Sequence, residues 1–173
     1  MPSVIVRGDT GPLRAALDRV ADIGRNPSGV LSALGNSVLN NTRKRMEQGV
    51  DPRGVRWDSY APLNPIYASG KKGPGILRGD HYSLMGHLYG SLVKDVRGSS
   101  LVWGSALPYS RIHQLGGIIQ PKNKRWLSFE MGGHLWHLDN VEIPARPYLG
   151  FTEEDREDLM DNLQGYLARA VRG

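Results

Sequence analysis

Residues 87–117 read "HLYGSLVKDVRGSSLVWGSALPYSRIHQLGG", and the run changes character partway. Its first part is strand-like. "HLYGSLVKDVRG" (87–98) and "SLVWGSA" (100–106) are rich in β-branched and aromatic residues and predict a hairpin that turns near Gly98-Ser99. Its last part is helical. Pro108 suits a helix start and Gly116 suits a left-handed C-cap, so residues 108–115 fit a short helix. On that helix Tyr109 and His113 stand four apart on one face, while Ile112 and Leu115 share another.

Downstream, "RWLSFEMGGHLWHLD" (125–139) predicts a second hairpin with Gly132-Gly133 at its tip, a two-residue turn that favours positive φ. Pairing across it gathers Trp126, Phe129, Leu135, Trp136 and Leu138 on a small two-stranded surface. After the extended "VEIPARPYLG" (141–150), Thr152 opens a final helix to about Val171. Glu153, Glu154 and Asp155 suit its positive end, and Arg169 and Arg172 its negative end. Leu159, Leu163, Tyr166, Leu167 and Ala170 form its apolar stripe, expected to pack into the subunit's own core.

Upstream, "SVIVRG" (3–8) reads as a short strand. A helix follows Thr10, with Leu13, Ala16, Leu17, Val20 and Ile23 on one side. A second helix is expected from Ser28 to Gln48, with Val30, Leu31, Leu34, Val38, Thr42 and Met46 on its face and Gly49 as its stop. Arg45 falls inside that stripe, and its stem is expected to lie along the core while its guanidinium reaches water. Residues 50–86 lack a sustained period, carry repeated prolines and glycines, and yet hold Trp57, Tyr60, Tyr67 and Tyr82. A long irregular run with that many large side chains suits a binding segment better than a linker. Helices at both ends with hairpins between them give an α+β domain: an antiparallel sheet of hairpins, packed by N-terminal helices and a C-terminal helix, with one long irregular segment. At 173 residues the chain suits a single domain.

The bulk composition narrows the function. There is no cysteine, which removes disulfides, thiolate nucleophiles and Cys-ligated zinc. The N-terminus has no signal-peptide pattern and no apolar run approaches a membrane span, so a soluble protein is expected. The formal net charge is +5 and the sequence pI about 9.6, carried by the small clusters Arg43-Lys44-Arg45, Lys71-Lys72 and Lys122 with Lys124-Arg125. That balance keeps a DNA-contacting role open, with non-specific, salt-dependent binding as its signature.

Catalysis finds little support. His113 would need a nucleophile or reacting proton and an orienting group. Ser105 and Ser110 lie near in sequence, but no Gly-x-Ser-x-Gly elbow surrounds either. His134 and His137 are three apart on an expected strand and so face opposite ways; His81 and His87 lack ligand spacing. "GKKGPG" (70–75) is not a phosphate-binding loop. No catalytic, metal or cofactor residue is assigned, and no cofactor is expected. A hydrolase using His113 remains the enzyme alternative.

Four ordered segments carry a resemblance. "PRGVRWDSYAPL" (52–63), with Pro52, Gly54 and Trp57, resembles a Pro-x-Gly-x-x-Trp-x-x-Leu pattern. "ILRGDHYSLMGHLYGSL" (76–92), with Gly86, Leu88 and Ser91, is similar to a Leu-x-x-x-Gly-x-Leu-x-x-Ser pattern. "VWGSALPYSRIHQLGG" (102–117), with Tyr109, His113, Gln114 and Gly116, resembles Gly-x-x-x-x-Tyr-Ala-x-x-His-Gln-x-Gly. "IPARPYLGFTEED" (143–155), with Pro144, Arg146, Pro147, Leu149 and Gly150, is similar to Ile-Pro-Ala-Arg-Pro-Phe-Leu-Gly before an acidic helix start. All four patterns are those of the phage virion morphogenesis family, the tail-completion proteins of Mu-like tailed phages, which the chain therefore resembles. Tyr60 stands where that pattern has Leu, Ser110 where it has Ala, and "RGDHYSLM" lengthens the spacing between Leu77 and Gly86.

The resemblance implies a virion structural protein with a tail-terminator-like fold, acting at the head–tail junction or top of the tail. It implies a homo-oligomeric ring of six subunits whose partners are other head–tail connector and tail tube proteins, and passing DNA without sequence preference. The protein would sit in the virion, in tail or neck, after assembly in the host cytoplasm. The alternative is a DNA-contacting neck or packaging accessory protein. Within such a ring, Tyr67, Ile76, Leu77, Tyr82 and Leu84 are the candidate subunit interface. They lie in a stretch (62–85) whose prolines and glycines oppose regular structure and whose apolar side chains call for a neighbour's cover.

Overall fold

The computed structural model describes residues 8–71, 76–77 and 88–172. The strand expected at 3–8 and the candidate residues Tyr82, Leu84 and Gly86 lie outside the described residues, apart from Gly8, which is in no regular element. The described elements run α1 (Gly11–Arg25), α2 (Ser28–Gln48), a short 3-10 turn (Trp57–Ser59), α3 (Pro65–Gly70), β1 (Leu92–Arg97), β2 (Ser100–Ser105), α4 (Ser110–Leu115), β3 (Gly117–Ile119), β4 (Leu127–Met131), β5 (His134–Leu138), β6 (Val141–Ile143) and α5 (Glu153–Arg172). The fold is α+β, and its strands form separate antiparallel pairs, β1–β2, β3–β6 and β4–β5, instead of one continuous sheet.

The long α2 is the spine. Gly49 ends it at φ 70°, ψ 36°, where the missing side chain removes the steric penalty of the left-handed region. Val30, Val38, Thr42 and Met46 are buried as its period predicts, and Leu39 joins them. The inner face of the β1–β2 hairpin, carrying Leu92, lies on α2. Gly35 permits that approach, because a Cβ there would stand 2.7 Å from both Leu101 Cδ1 and Lys94 Cδ. The central cluster joins Leu39, Met46, Trp57, Leu88, Leu92 and Tyr148, so side chains from four separate stretches of chain meet in one core.

Several expectations need correction. Arg45 does not snorkel. It is 7% exposed, and its Nη1 donates to both carboxylate oxygens of Asp155 at 3.0 Å. On α1, Ala16 is buried but Leu13 and Leu17 are 62% and 61% exposed. The helix is wider in its apolar stripe than in its contact with α5, which it grips through Arg19 donating to the carbonyls of Ala170 and Val171. A guanidinium at those unpaired C-terminal carbonyls also complements the helix dipole. The stripe of α5 is only half-buried against α1 and α2, and Asp155 is the helix's one fully buried residue.

The first hairpin strand begins at Leu92, because residues 88–90 form a turn and Ser91 Oγ donates to Leu88 O at 2.7 Å. The segment from 50 onward is not without regular elements either. Asn64 Oδ1 accepts from the N–H groups of Ile66 and Tyr67, and Pro65 occupies the first helical position, so α3 forms within the supposed irregular run. In β4–β5 the register pairs Phe129 with Trp136 and Leu127 with Leu138, but Leu135 with Glu130. Alternation therefore splits the expected surface: Leu135 points away from Phe129, Trp136 and Leu138. Among the described residues no helix is long and apolar enough to cross a membrane.

Candidate functional site

Residues 144–150, "PARPYLG", form an extended strap that joins no strand. Pro144 and Pro147 remove two donors, so the segment is unsuited to a ladder and its remaining backbone groups need other partners. Side chains from the motif segments supply them. Gln114 Oε1 accepts from the N–H groups of Tyr148 (3.0 Å) and Leu149 (2.9 Å), and its Nε2 donates to Leu149 O at 2.9 Å. One amide thus does what a neighbouring strand would do. Trp57 Nε1 donates to Pro147 O at 3.2 Å, and Arg45 Nη2 to Gly150 O at 3.1 Å. The N–H of Arg146 donates to His113 O at 2.7 Å, while its Nη2 donates to Ala61 O at the same distance.

The strap in turn seals the core with Tyr148, which is 1% exposed. Arg146 is 5% exposed, and burial pushes its guanidinium pKa down. Close packing fixes the strap's far end, since a Cβ on Gly150 would stand 2.5 Å from Pro52 Cβ. Leu149 reaches over the hairpin to Gly104. Ser91 Oγ lies 2.6 Å from Ser105 Oγ, tying the start of β1 to the end of β2.

Gly116 joins α4 to β3 with φ 70° and ψ 179°. Its φ is positive as the spacing predicts, but the extended ψ is not that of a left-handed cap; this region is essentially restricted to glycine. A Cβ would also meet backbone atoms, Ala145 N at 2.7 Å and Ile143 O at 3.1 Å. Gly54, in the turn after Pro52, has φ 79°.

Two buried carboxylates organise this junction, and composition alone did not single them out. Asp155 and Thr152 form a reciprocal cap: Asp155 N–H donates to Thr152 Oγ1 at 3.0 Å, and Thr152 N–H to Asp155 Oδ2 at 2.9 Å. The same carboxylate receives Arg45. Burial by itself would raise the Asp155 pKa, but the Arg45, Thr152 and Asn41 hydrogen bonds and the Arg45 charge bring it below the ordinary value. Asp51, fully buried, accepts from the N–H groups of Arg53 and Val55 at 2.8 Å and from Tyr60 Oη at 2.7 Å. Burial opposes its ionisation, and the Tyr60, Val55 and Arg53 bonds prevail, so its pKa is lowered too. Tyr60 therefore has a polar partner where the resembled pattern has Leu. The signal was present in "TEED" and "DPRG", each a turn or cap motif placed beside a core residue.

His113 stands edge-on to Tyr109, ring centroids 5.8 Å apart. Its Nδ1 is buried without a hydrogen-bond partner among the described residues. Burial, and then the Arg146 charge, hold its pKa below the usual histidine value. The folded protein therefore binds fewer protons than the unfolded chain just below about pH 6.5, and stability decreases as pH drops through that range. Asp155 and Asp51, with lowered pKa values, lose their contributions only as pH drops below about 4. Melting temperature against pH should show both declines. His113→Gln should abolish the upper one alone; its persistence in the variant would assign it elsewhere.

Beside this junction Leu115 on α4 and Ile118 on β3 are 62% and 61% exposed, and Leu135 on β5 is 66% exposed. Of the expected interface residues, Tyr67 is 48% exposed, whereas Ile76 and Leu77 are half-buried against the subunit's own core. The basic cluster at 43–45 is engaged within the subunit, Arg43 with Leu92 O, Lys44 with Glu154 and Arg45 with Asp155.

Motif residues Trp57, Gln114 and Arg146 thus converge on one strap. Residues 9–168 match the phage virion morphogenesis family, and the chain belongs to it. It is a phage protein of virion assembly, associated with the phage particle. It is 22% identical over 165 residues to "Putative capsid assembly protein G" of Escherichia phage Mu, covering 95% of this chain and 94% of that protein. It is 27% identical over 86 residues to "Mu-like prophage FluMu G protein 2" of Haemophilus influenzae, covering 50% of this chain and 51% of that protein. No solved structure matches it.

Proposed function

We propose that this chain completes the phage tail as a ring-forming, non-enzymatic component at the head–tail junction, built as one tail-terminator-like domain. The observation that carries the reading is the exposure of large apolar side chains on separate elements of the subunit. Leu115, Ile118 and Leu135 stay in water, while the strap is held within the subunit by Gln114, Trp57 and Arg45. A subunit with such faces gains by meeting copies of itself, and different faces meeting head to tail close a cycle. Six subunits are expected in the ring, with other connector and tail tube proteins above and below it. DNA would pass without base-specific contact. The exposed Lys122, Lys124 and Arg125 are the residues best placed for it, since the 43–45 cluster is spent internally. Assembly would take place in the host cytoplasm.

Native mass spectrometry of the purified protein across a concentration series tests this. A single closed stoichiometry, growing in at the expense of monomer, is expected. A monomer at every concentration, or an open ladder of all stoichiometries, would contradict it.

A further inference from the structure

The β4–β5 hairpin is an arm. Its tip rests on α3, where a Cβ on Gly132 would meet Ile66 Cγ2 at 2.4 Å, and one of its faces is half-buried through Phe129 and Trp136. The opposite face is exposed. There Leu135, 66% exposed, pairs across the strands with Glu130, an exposed carboxylate with no cationic partner among the described residues.

On another part of the subunit lies a groove of about 470 Å³ between the outer face of β1–β2 and α4. Its apolar surface comes from Val93 (58% exposed), Val102 (43%) and Leu115 (62%). Asp95 and Arg97 on its wall neutralise each other at 2.7 Å. Lys94, also on its wall, turns away to Ser32. Arg111 is left as the groove's exposed cation, with no anionic partner among the described residues.

We infer that the arm of one subunit seats in the β1–β2/α4 groove of the next copy of this chain, with Leu135 as its apolar anchor and Glu130 facing Arg111. The two surfaces are complementary in kind. One is a projecting apolar residue beside an unpaired carboxylate; the other is an apolar groove beside an unpaired guanidinium. Burying both together removes Leu135, Val93, Val102 and Leu115 from water and gives each orphan charge its opposite. Because arm and groove are different surfaces, the contact is heterologous, as a ring requires. The inference rests on the ring reading and names the surfaces that would make it.

The chain has no cysteine, so engineered thiols report cleanly. Leu135→Cys with Val102→Cys should form a disulfide between subunits on mild oxidation, and neither single variant should. Leu135→Asp should weaken association more than tenfold, as loss of a buried anchor does, with an unchanged melting temperature at dilutions where both proteins are monomeric, because the side chain is exposed in the subunit. Glu130→Arg and Arg111→Glu should each weaken association, and the two together should restore it. Rings that persist unaltered in Leu135→Asp, with no rescue by the charge exchange and no cross-link, would overturn the docking and leave the ring standing. A wild-type protein that never leaves the monomer would overturn both.

Discussion

Asp155→Ala is expected to cost about 3–5 kcal/mol of folding stability, the range for breaking a buried ion pair by removing one partner. Arg45 would be left 7% exposed with its main anion gone, and its Nε already lacks a partner. The same substitution deletes the acceptor for the Thr152 N–H, so the first turn of α5 loses half its cap. It also removes an acceptor for the Asn41 side chain, which keeps its 2.8 Å bond to Asp158 Oδ2. Urea unfolding measures the loss. Since much of it is the penalty of an uncompensated guanidinium, Arg45→Met/Asp155→Ala should be less destabilised than the sum of its single variants by about 1–3 kcal/mol. Strict additivity would show that the two side chains do not act as a pair.

Gly116→Val should destabilise by at least about 3 kcal/mol, against about 1 kcal/mol for His113→Gln three residues away. The valine must adopt φ 70° with an extended ψ, which its branched side chain resists. Its Cβ would also press on Ala145 N at 2.7 Å, a backbone atom that cannot swing aside. Relief would have to come from parting β3 from β6, whose register begins at Gly117 and Ile143, and from lifting the strap off Gln114. His113 contributes its carbonyl to Arg146, a bond any residue can make, and an imidazole whose buried Nδ1 makes none among the described residues. Comparable soluble yields and unfolding midpoints for the two variants would refute this ranking.

Short-range chemistry was readable in the sequence. Ser28 to Gln48 shows its period and its Gly49 stop, Gly132-Gly133 marks its turn, and Thr152 sits three residues before an acid. The motif residues were readable too, but their purpose was not. That Gln114 would stand in for a β-strand depends on where a proline-rich strap falls some thirty residues later. Arg45 misled for a similar reason. A cation in an apolar stripe ordinarily reaches for water, and only the fold brings Asp155 to it from 110 residues away. Leu13 and Leu17 show the opposite limit, since periodicity marks an apolar face without saying what covers it.

Electron microscopy of purified phage particles, with density assigned to this chain, tests the central claim most directly. A closed ring of this chain between head and tail tube is expected, with β4–β5 of each subunit lying in the β1–β2/α4 groove of its neighbour. Particles whose head–tail junction is complete without this chain, or that carry it as isolated copies, would contradict it.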